Sequence, residues 1–435
     1  MKDNVMVVGR GGREHALVWK LRQSPHVRKI FCVPGNAGTA KIATNVRLDP
    51  LNFAALVKFA RAHKVTLVVP GPDRLYAAGI VDYFQQAGLT IFGPTKAAAE
   101  LEWSKSFASG VMDARHIPRA TTLDAIRGAA EAELYYLKRG RRLRFPVVVK
   151  ADGLMEGKGV YIVHHADELR AALQVLYRPD DPESANRVVN IDQFLRGVEL
   201  SGHLLTDSIV VRPFPFAHDY KKALDGDEGD NTGGMGCVAP IGVSKWFRDQ
   251  VRRHVEVPAL AEMERRGRPF RGLLYPGLIV PRRGFKVLEY NVRFGDPETQ
   301  AYMLLMASDL FEQLMGCAMG TLSQAPPLQF REGYAVCVVL ACDGYPGKSI
   351  SGQRLLHLAA TNKIPNLQVF HAGTVLDGKT VRATGGRTFA VTALGETLDS
   401  AITSAYAGAH ALDQHGLYFR HDIGADVLAA QRETR

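Results

Sequence analysis

The chain lacks any run of about 18 consecutive apolar residues, so no stretch of it reads as a membrane-crossing helix. Cysteine is sparse: Cys32, Cys237, Cys317, Cys337 and Cys342 are scattered, with no C-x-x-C and no regular spacing to histidine. An odd, dispersed set of thiols argues against a disulfide framework or a structural zinc site, and for a reducing compartment. The opening MKDNVMVVGRGG passes directly into a strand and a glycine loop, without the apolar length or cleavage site of a signal peptide. A cytoplasmic location is therefore expected. Internal repeats and low-complexity tracts are also missing. No nucleophile, base and orienting acid can be assembled from spacing alone, which neither builds a catalytic triad nor excludes one.

What is present is ordinary for a globular protein: 435 residues, 46% hydrophobic and 23% charged. That length needs two to four domains. An excess of basic over acidic residues leaves a net charge of +10, a field that suits nucleic acid or small anionic substrates. The densest basic cluster, Lys138 to Arg144, lies between a helical segment and a strand without interleaved aromatics. It reads as a solvated loop, so neither nucleic acid nor a membrane is expected as a partner.

Residues up to about 102 alternate apolar strands (Val5 to Val8, Ile30 to Val33, Val65 to Val69, Thr90 to Phe92) with helices at Arg13 to Gln23, Leu51 to His63 and Ala77 to Gln86. Continuous apolar strands separated by amphipathic helices predict a doubly wound parallel sheet covered on both faces. From about Glu102 the pattern becomes α+β, with a long polar loop from Asp219 to Met235, and a small α/β unit follows from about Gly333. The expected division is 1–102, 103–330 and 331–435.

Four regions carry chemistry. Gly9 to His15 follows the first strand and opens the first helix, where glycines and a helix N-terminus suit an anion. Glu14 replaces the third glycine of a dinucleotide fingerprint, so a phosphate or a simple tight turn is favoured over a nicotinamide cofactor. The loops Pro34 to Gly38, Gly71 to Asp73 and Gly93 to Thr95 would share that rim. Lys150 ends an apolar strand, and Ala151 to Gly159 follows; the spacing is not that of a P-loop, yet Lys150 and Lys158 can clamp a triphosphate. In Lys286 to Arg293, alternation puts Glu289, Asn291 and Arg293 on one face, and Leu288, Tyr290 and Val292 on the other. A carboxylate beside an amide oxygen suits Mg²⁺. The Gly- and Asp-rich loop containing Asn231 to Gly236 lacks EF-hand spacing and fits a substrate-covering loop.

The ordered series GxGGREH, PGNAGTA, IFGPTKAAA, VVKADGL-x2-GKGV, NTGGMG, VLEYNVRFGDPETQ, GGR-x3-VTALG and DIG, running from about residue 5 to residue 427, resembles the phosphoribosylamine–glycine ligase (glycinamide ribonucleotide synthetase) family of the ATP-grasp superfamily. The resemblance implies an N-terminal doubly wound domain, an ATP-grasp core with a mobile lid (about 115–195) and a small C-terminal domain. It implies ATP-dependent joining of glycine to 5-phosphoribosylamine through a glycyl phosphate, a step of purine synthesis. The alternative is a ligase of the same fold acting on another amine and carboxylate pair in specialised metabolism. A monomer is expected, using ATP with Mg²⁺ or Mn²⁺.

Residue by residue, the resemblance assigns Lys105, Lys150, Gly157, Lys158, Gly159, Asp192, Gln193, Phe194, Leu195 and Glu199 to ATP, and Glu289 with Asn291 to the metal. Arg293, Asp296 and Lys221 would serve the reaction itself. Gly11, Gly12, Arg13, Gly35, Asn36, Asp73, Asp219, Asn231, Thr232, Gly233 and Gly234 would hold the substrates. Several substrate loops depart from the family pattern: GPExPL reads Gly71-Pro72-Asp73-Arg74-Leu75-Tyr76, DHKR reads Asp219-Tyr220-Lys221-Lys222, and GPNTGG carries Asp230 in place of proline.

Overall fold

The apolar runs of the first hundred residues pair side by side. In the computed structural model, which describes residues 2–153, 159–178, 181, 184 and 187–433, β1 (Asp3–Gly9), β2 (Val27–Pro34), β3 (Thr44–Asn45) and β4 (Val65–Pro70) form a parallel sheet in the order β3-β2-β1-β4. Val5 and Val7 pack with Ala16, Leu17 and Leu21 of α1 (Gly12–Leu21). Met6 and Val8 pack with Leu56, Val57 and Ala60 of α2 (Phe53–Ala62) on the opposite side. The two-residue period of a strand thus supplies both covered faces.

Local chemistry trims the predicted helices. Asn52 caps α2 by accepting from the Ala55 N–H, so the helix starts at Phe53 rather than Leu51. The helix expected at Ala77 to Gln86 is two, Asp73–Ala77 and Ile80–Gln86, because Gly79 adopts φ +87° between them. The strand expected at Thr90 to Phe92 contributes only a single parallel bridge from Ile91 to Val68.

Strands Thr122–Arg127, Val188–Gln193, Val147–Ala151 and Val160–Val163 form an antiparallel sheet in that spatial order. Helices Gly128–Lys138 and Ala166–Leu176 cover it over a separate small core of Ile126, Val147, Val149, Leu169, Leu173 and Ile191. This unit falls within the range expected for the lid. The basic cluster between its helix and strand is a short turn at Gly140–Arg142, exposed apart from Gly140 and Leu143. A second antiparallel sheet is built on Gly272–Val280, which pairs with Lys286–Asn291 on one side and with Val198–Ser201 and Leu204–Thr206 on the other.

The third large sheet crosses the expected boundary at 330: Gly236–Ala239 pairs with Tyr334–Cys342, which pairs in turn with Arg387–Gly395. The polar segment 219–235 is more structured than a covering loop. It contains the hairpin Lys222–Leu224 and Glu228–Asn231, tied down by Arg420 to Asp227 (2.8 Å), the Gly226 N–H to Asp422 (2.8 Å) and the His421 N–H to Asp225 (2.7 Å). All five cysteines are buried and unpaired, and no described helix is long and apolar enough to cross a membrane.

Three histidines are enclosed in a neutral state. Burial depresses His203 to about 4, against an opposing pull from Glu298. Burial, with Lys41 nearby, takes His15 to about 3 and His371 well below the ordinary value. The unfolded chain binds these protons near pH 6.5 and the folded chain does not, so folding loses stability as pH falls from 6.5 toward 4. Each site contributes up to about 1.4 kcal/mol per pH unit near pH 5. Glu102, Asp219 and Glu256 partly offset this, because burial raises their carboxyls so that they take up protons on folding. Urea unfolding of the wild type and of His203→Phe at pH 7, 6 and 5 checks this. The wild type should lose stability relative to the variant as pH falls, and a difference independent of pH would count against an enclosed neutral ring.

Candidate active site

The strand Lys286–Asn291 follows its alternation only in part: Tyr290 and Val292 are buried while Glu289 and Arg293 remain partly open. A register shift opposite Gly277 and Leu278 leaves Leu288 half-buried and buries Val287, and Asn291 is buried as well. Opposite it, Ser104 caps the helix Lys105–Ala114 and sets Lys105 at its first turn. The Lys105 Nζ lies 3.0 Å from Glu289 Oε2. Lys150 reaches Asp192 at 3.3 Å and donates to the Leu288 carbonyl at 3.2 Å. Lys221 meets Glu199 at 3.2 Å. Three lysines and three carboxylates therefore converge as ion pairs around one cleft, whose walls include Lys105, Lys150, Asp192 and Glu289.

The charges respond to one another. Lys105, joined by Lys221 and Lys150, holds the Glu289 carboxyl far below the usual range against the effect of burial. Glu199 raises Lys221, with Glu289 and Asp219 adding to it against burial. Glu289 is thus an ionised oxygen donor beside the Asn291 amide oxygen, which accepts from Arg293 Nη2 at 2.9 Å. Two oxygen donors on one strand face, one held anionic, fit a hard divalent cation. Arg293 also binds Glu102 at 3.2 Å.

At the rim of the parallel sheet the loops interlock. Glu14 accepts from the Gly11 N–H (2.5 Å) and from Arg13 Nε (2.6 Å), while Arg13 Nη1 donates to the Phe294 carbonyl (3.0 Å). The Arg13 side chain is therefore turned into the protein, and its backbone N–H donates to Asp296 at 3.3 Å. Gly12 sits against Asp296 and Gln300. Asn36 Nδ2 donates to the Arg10 and His371 carbonyls, and its Oδ1 accepts from Gly38 and Thr39 N–H groups. Gly35, at φ +73°, packs on Asn45. Asp73 opens the helix at its strand end and accepts from the Arg74 N–H.

Asp219 is enclosed among Glu298, Lys221 and Arg387. Its Oδ1 is buried with no hydrogen-bond partner among the described residues, and burial, reinforced by Glu298, raises its carboxyl well above the ordinary value. Thr232 bonds back to the Lys221 carbonyl, and Gly233 and Gly234 carbonyls both accept from Arg387. Asn231 closes the hairpin opposite Lys222. Gln193 ends its strand exposed, with Phe194 and Leu195 half-buried after it, and Gly159 accepts from the Ala151 N–H. Gly157 and Lys158 lie outside the described residues.

Two groups were not anticipated as site residues. Arg387, from the GGR motif, bridges Gly233, Gly234 and the Asp296 carbonyl (2.6 Å), and lies 3.5 Å from the Asp296 carboxylate. Burial tends to raise Asp296, but Arg387 and Arg13 outweigh it and lower the carboxyl. Glu298 is buried and accepts from Tyr275 (2.6 Å) and Ser201 (2.9 Å). The sequence signal for it is the polar run after Pro297, and Ser201 acts as its hydrogen-bonding support.

Profiles of the phosphoribosylglycinamide synthetase family match this chain three times: the N domain over residues 3–102, the ATP-grasp (A) domain over 103–299 and the C domain over 335–426. The chain belongs to the phosphoribosylglycinamide synthetase family. It is an ATP-grasp ligase, as the motif order implied. The phosphoribosylamine–glycine ligase of Rhodopirellula baltica is 41% identical over 432 residues, covering 98% of each chain. A trifunctional purine biosynthetic protein, adenosine-3, of Gallus gallus is 41% identical across all of this chain, which spans 43% of that protein's length. The solved phosphoribosylamine–glycine ligase of Thermotoga maritima superimposes with a TM-score of 0.82 at 30% identity, covering 97% of this chain and all of that one. Membership carries use of ATP and a divalent metal.

Proposed function

We propose that this chain joins glycine to 5-phosphoribosylamine: ATP, glycine and the sugar amine give glycinamide ribonucleotide, ADP and phosphate. The full-length likeness to ligases of that name supports this step of purine synthesis over another amine and carboxylate pair. The observation that carries the reading is the convergence of the Glu289–Asn291–Arg293 face with three paired lysines on one side and the Asp296–Arg13 rim on the other.

Charge exchange explains the pairing. Lys105, Lys150 and Lys221 each lean on a carboxylate. An incoming triphosphate offers them stronger anionic partners and frees Glu289, which with Asn291 would hold Mg²⁺, or Mn²⁺ in its place. When bound, the metal neutralises phosphate charge. Glycine's carboxylate oxygen bonds to the γ-phosphorus as the bond to ADP breaks. The sugar amine then bonds to the acyl carbon, phosphate leaves with that oxygen, and the amine gives up a proton. Catalysis on this reading is positioning and charge neutralisation, with Arg293 and Asp296 beside the reacting carboxylate.

Asp219 is assigned the amine's proton, on the strength of its unpartnered oxygen and raised carboxyl. As a base it must be ionised, so activity falls as pH drops through its raised value. Asp219→Asn is expected to lower kcat about 100-fold and to remove the acid limb of the kcat profile. An unchanged limb would reassign the proton.

The division 1–102, 103–330 and 331–435 belongs to the same reading, supported by the limits of the three family matches. A monomer is proposed with it, and five unpaired thiols support a cytoplasmic setting. The reaction is tested by phosphate release from ATP, Mg²⁺ and glycine, with and without phosphoribosylamine generated in situ. Release that needs both, with the ribonucleotide seen by mass, is expected. Release with a different amine or acid only would select the specialised-metabolism alternative.

A further inference from the structure

On the flank of α1, helix α1, the turn at 38–42 and the C-terminal segments 358–362 and 367–371 enclose a cavity of about 490 Å³. None of the lysines, acids or arginines of the active site lines it. A second cavity of about 320 Å³ adjoins it, sharing Arg22, Lys41 and Ile42. No aspartate or glutamate lines either space, while Arg28 and Lys29 add to the positive charge of the second. Neither Arg22 nor Lys41 has an ion-pair partner among the described residues.

The inner wall holds a histidine ring whose second nitrogen is open to the hollow. The His15 Nδ1 accepts from the His371 N–H at 2.8 Å, so the neutral ring carries its proton on Nε2. That Nε2 makes no hydrogen bond to a described residue and keeps some contact with solvent in the hollow. Amides of Gln23, Asn362 and Gln368 offer further donors and acceptors, and Trp19, Ile42 and Leu367 supply an apolar wall. Exposed cations alone are usually a solvated face. Here they border a half-open hollow between two domains, of the size that small-molecule sites have.

We propose that this cavity binds a small phosphate monoester bearing a flat heterocycle. The phosphate lies between Arg22 and Lys41, the ring lies against Trp19, and His15 Nε2–H with the amides reads its edge. Planar, charge-assisted recognition by arginine makes phosphate the favoured anion. The cavity backs onto the Pro34 to Gly38 loop, through the Asn36 Nδ2 to His371 carbonyl bond (2.7 Å) and the packing of Gly38 on His15 and His371.

The test is calorimetric titration of the full chain with inosine monophosphate, with saturating ADP and Mg²⁺ keeping the nucleotide cleft filled. One equivalent is expected to bind. Arg22→Ala and Lys41→Ala should each weaken it about tenfold with unchanged thermal unfolding, as both side chains are exposed. Gln368→Trp, which fills the wall and keeps both cations, should also abolish binding. The proposal is overturned by absent binding, by binding indifferent to all three substitutions, or by inorganic phosphate binding as tightly as the nucleotide.

Discussion

Glu289→Gln is expected to lower kcat by about 1,000-fold while the chain stays folded. The substitution keeps size and hydrogen bonding but removes the one anion on which Lys105 leans at 3.0 Å, with Lys221 and Lys150 close behind. Without it the cleft gains a net positive charge and loses its ionised oxygen donor for a divalent cation. ADP binding measured without metal should be retained or tightened, because the lysines then face the phosphates unopposed. The Mg²⁺ concentration giving half-maximal residual activity should rise at least tenfold. Wild-type turnover with an unchanged metal requirement would remove Glu289 from the site.

The second large effect falls on stability as well as activity. Arg293 binds Glu102, which is 7% exposed and also accepts from the Val292 N–H at 2.9 Å. Burial raises the Glu102 carboxyl, and Arg293 is the main influence restraining it. Arg293→Met strands that carboxylate, a loss of about 3–5 kcal/mol. It also releases the Asn291 amide and takes the charge from beside the reacting carboxylate, so turnover should fall at least about 100-fold. Pairing it with Glu102→Gln is expected to restore most of the stability and none of the activity. Chemical denaturation of the three variants separates the effects; a double variant as unstable as the single would show that the ion pair is not the source.

How much of this was legible in the sequence depended on distance along the chain. The parallel sheet was readable because each strand declares burial on both faces within a few residues, as Val5 to Val8 do. The Glu289, Asn291 and Arg293 face was readable because two-residue alternation is local. The pairing of Lys105 with Glu289 was not, since 184 residues separate them and only the packing of helix on strand joins them. Arg387 was hidden for the same reason: it reaches Gly233 and Asp296 because its strand pairs with Tyr334–Cys342, which pairs with Gly236–Ala239. Arg13 illustrates the opposite hazard. A basic residue in a glycine loop reads as an outward anion ligand, yet its side chain points to Glu14 and the Phe294 carbonyl.

The altered residues are spread over different elements: Asp73 opens a short helix, Lys222 and Asp230 lie in the paired strands of the 222–231 hairpin, and Tyr220 precedes that hairpin. Tyr220 is buried and bonds Asp426 and the Gly424 N–H, so its change is absorbed by packing against the C-terminal segment.

The central claim, a glycyl phosphate formed without an enzyme nucleophile, is tested most directly by turnover with glycine labelled with ¹⁸O in its carboxyl group. One labelled oxygen should appear in the released phosphate for each ribonucleotide formed, because the carboxylate oxygen that attacks the γ-phosphorus leaves with it. Phosphate released without label, alongside normal product, would contradict the account.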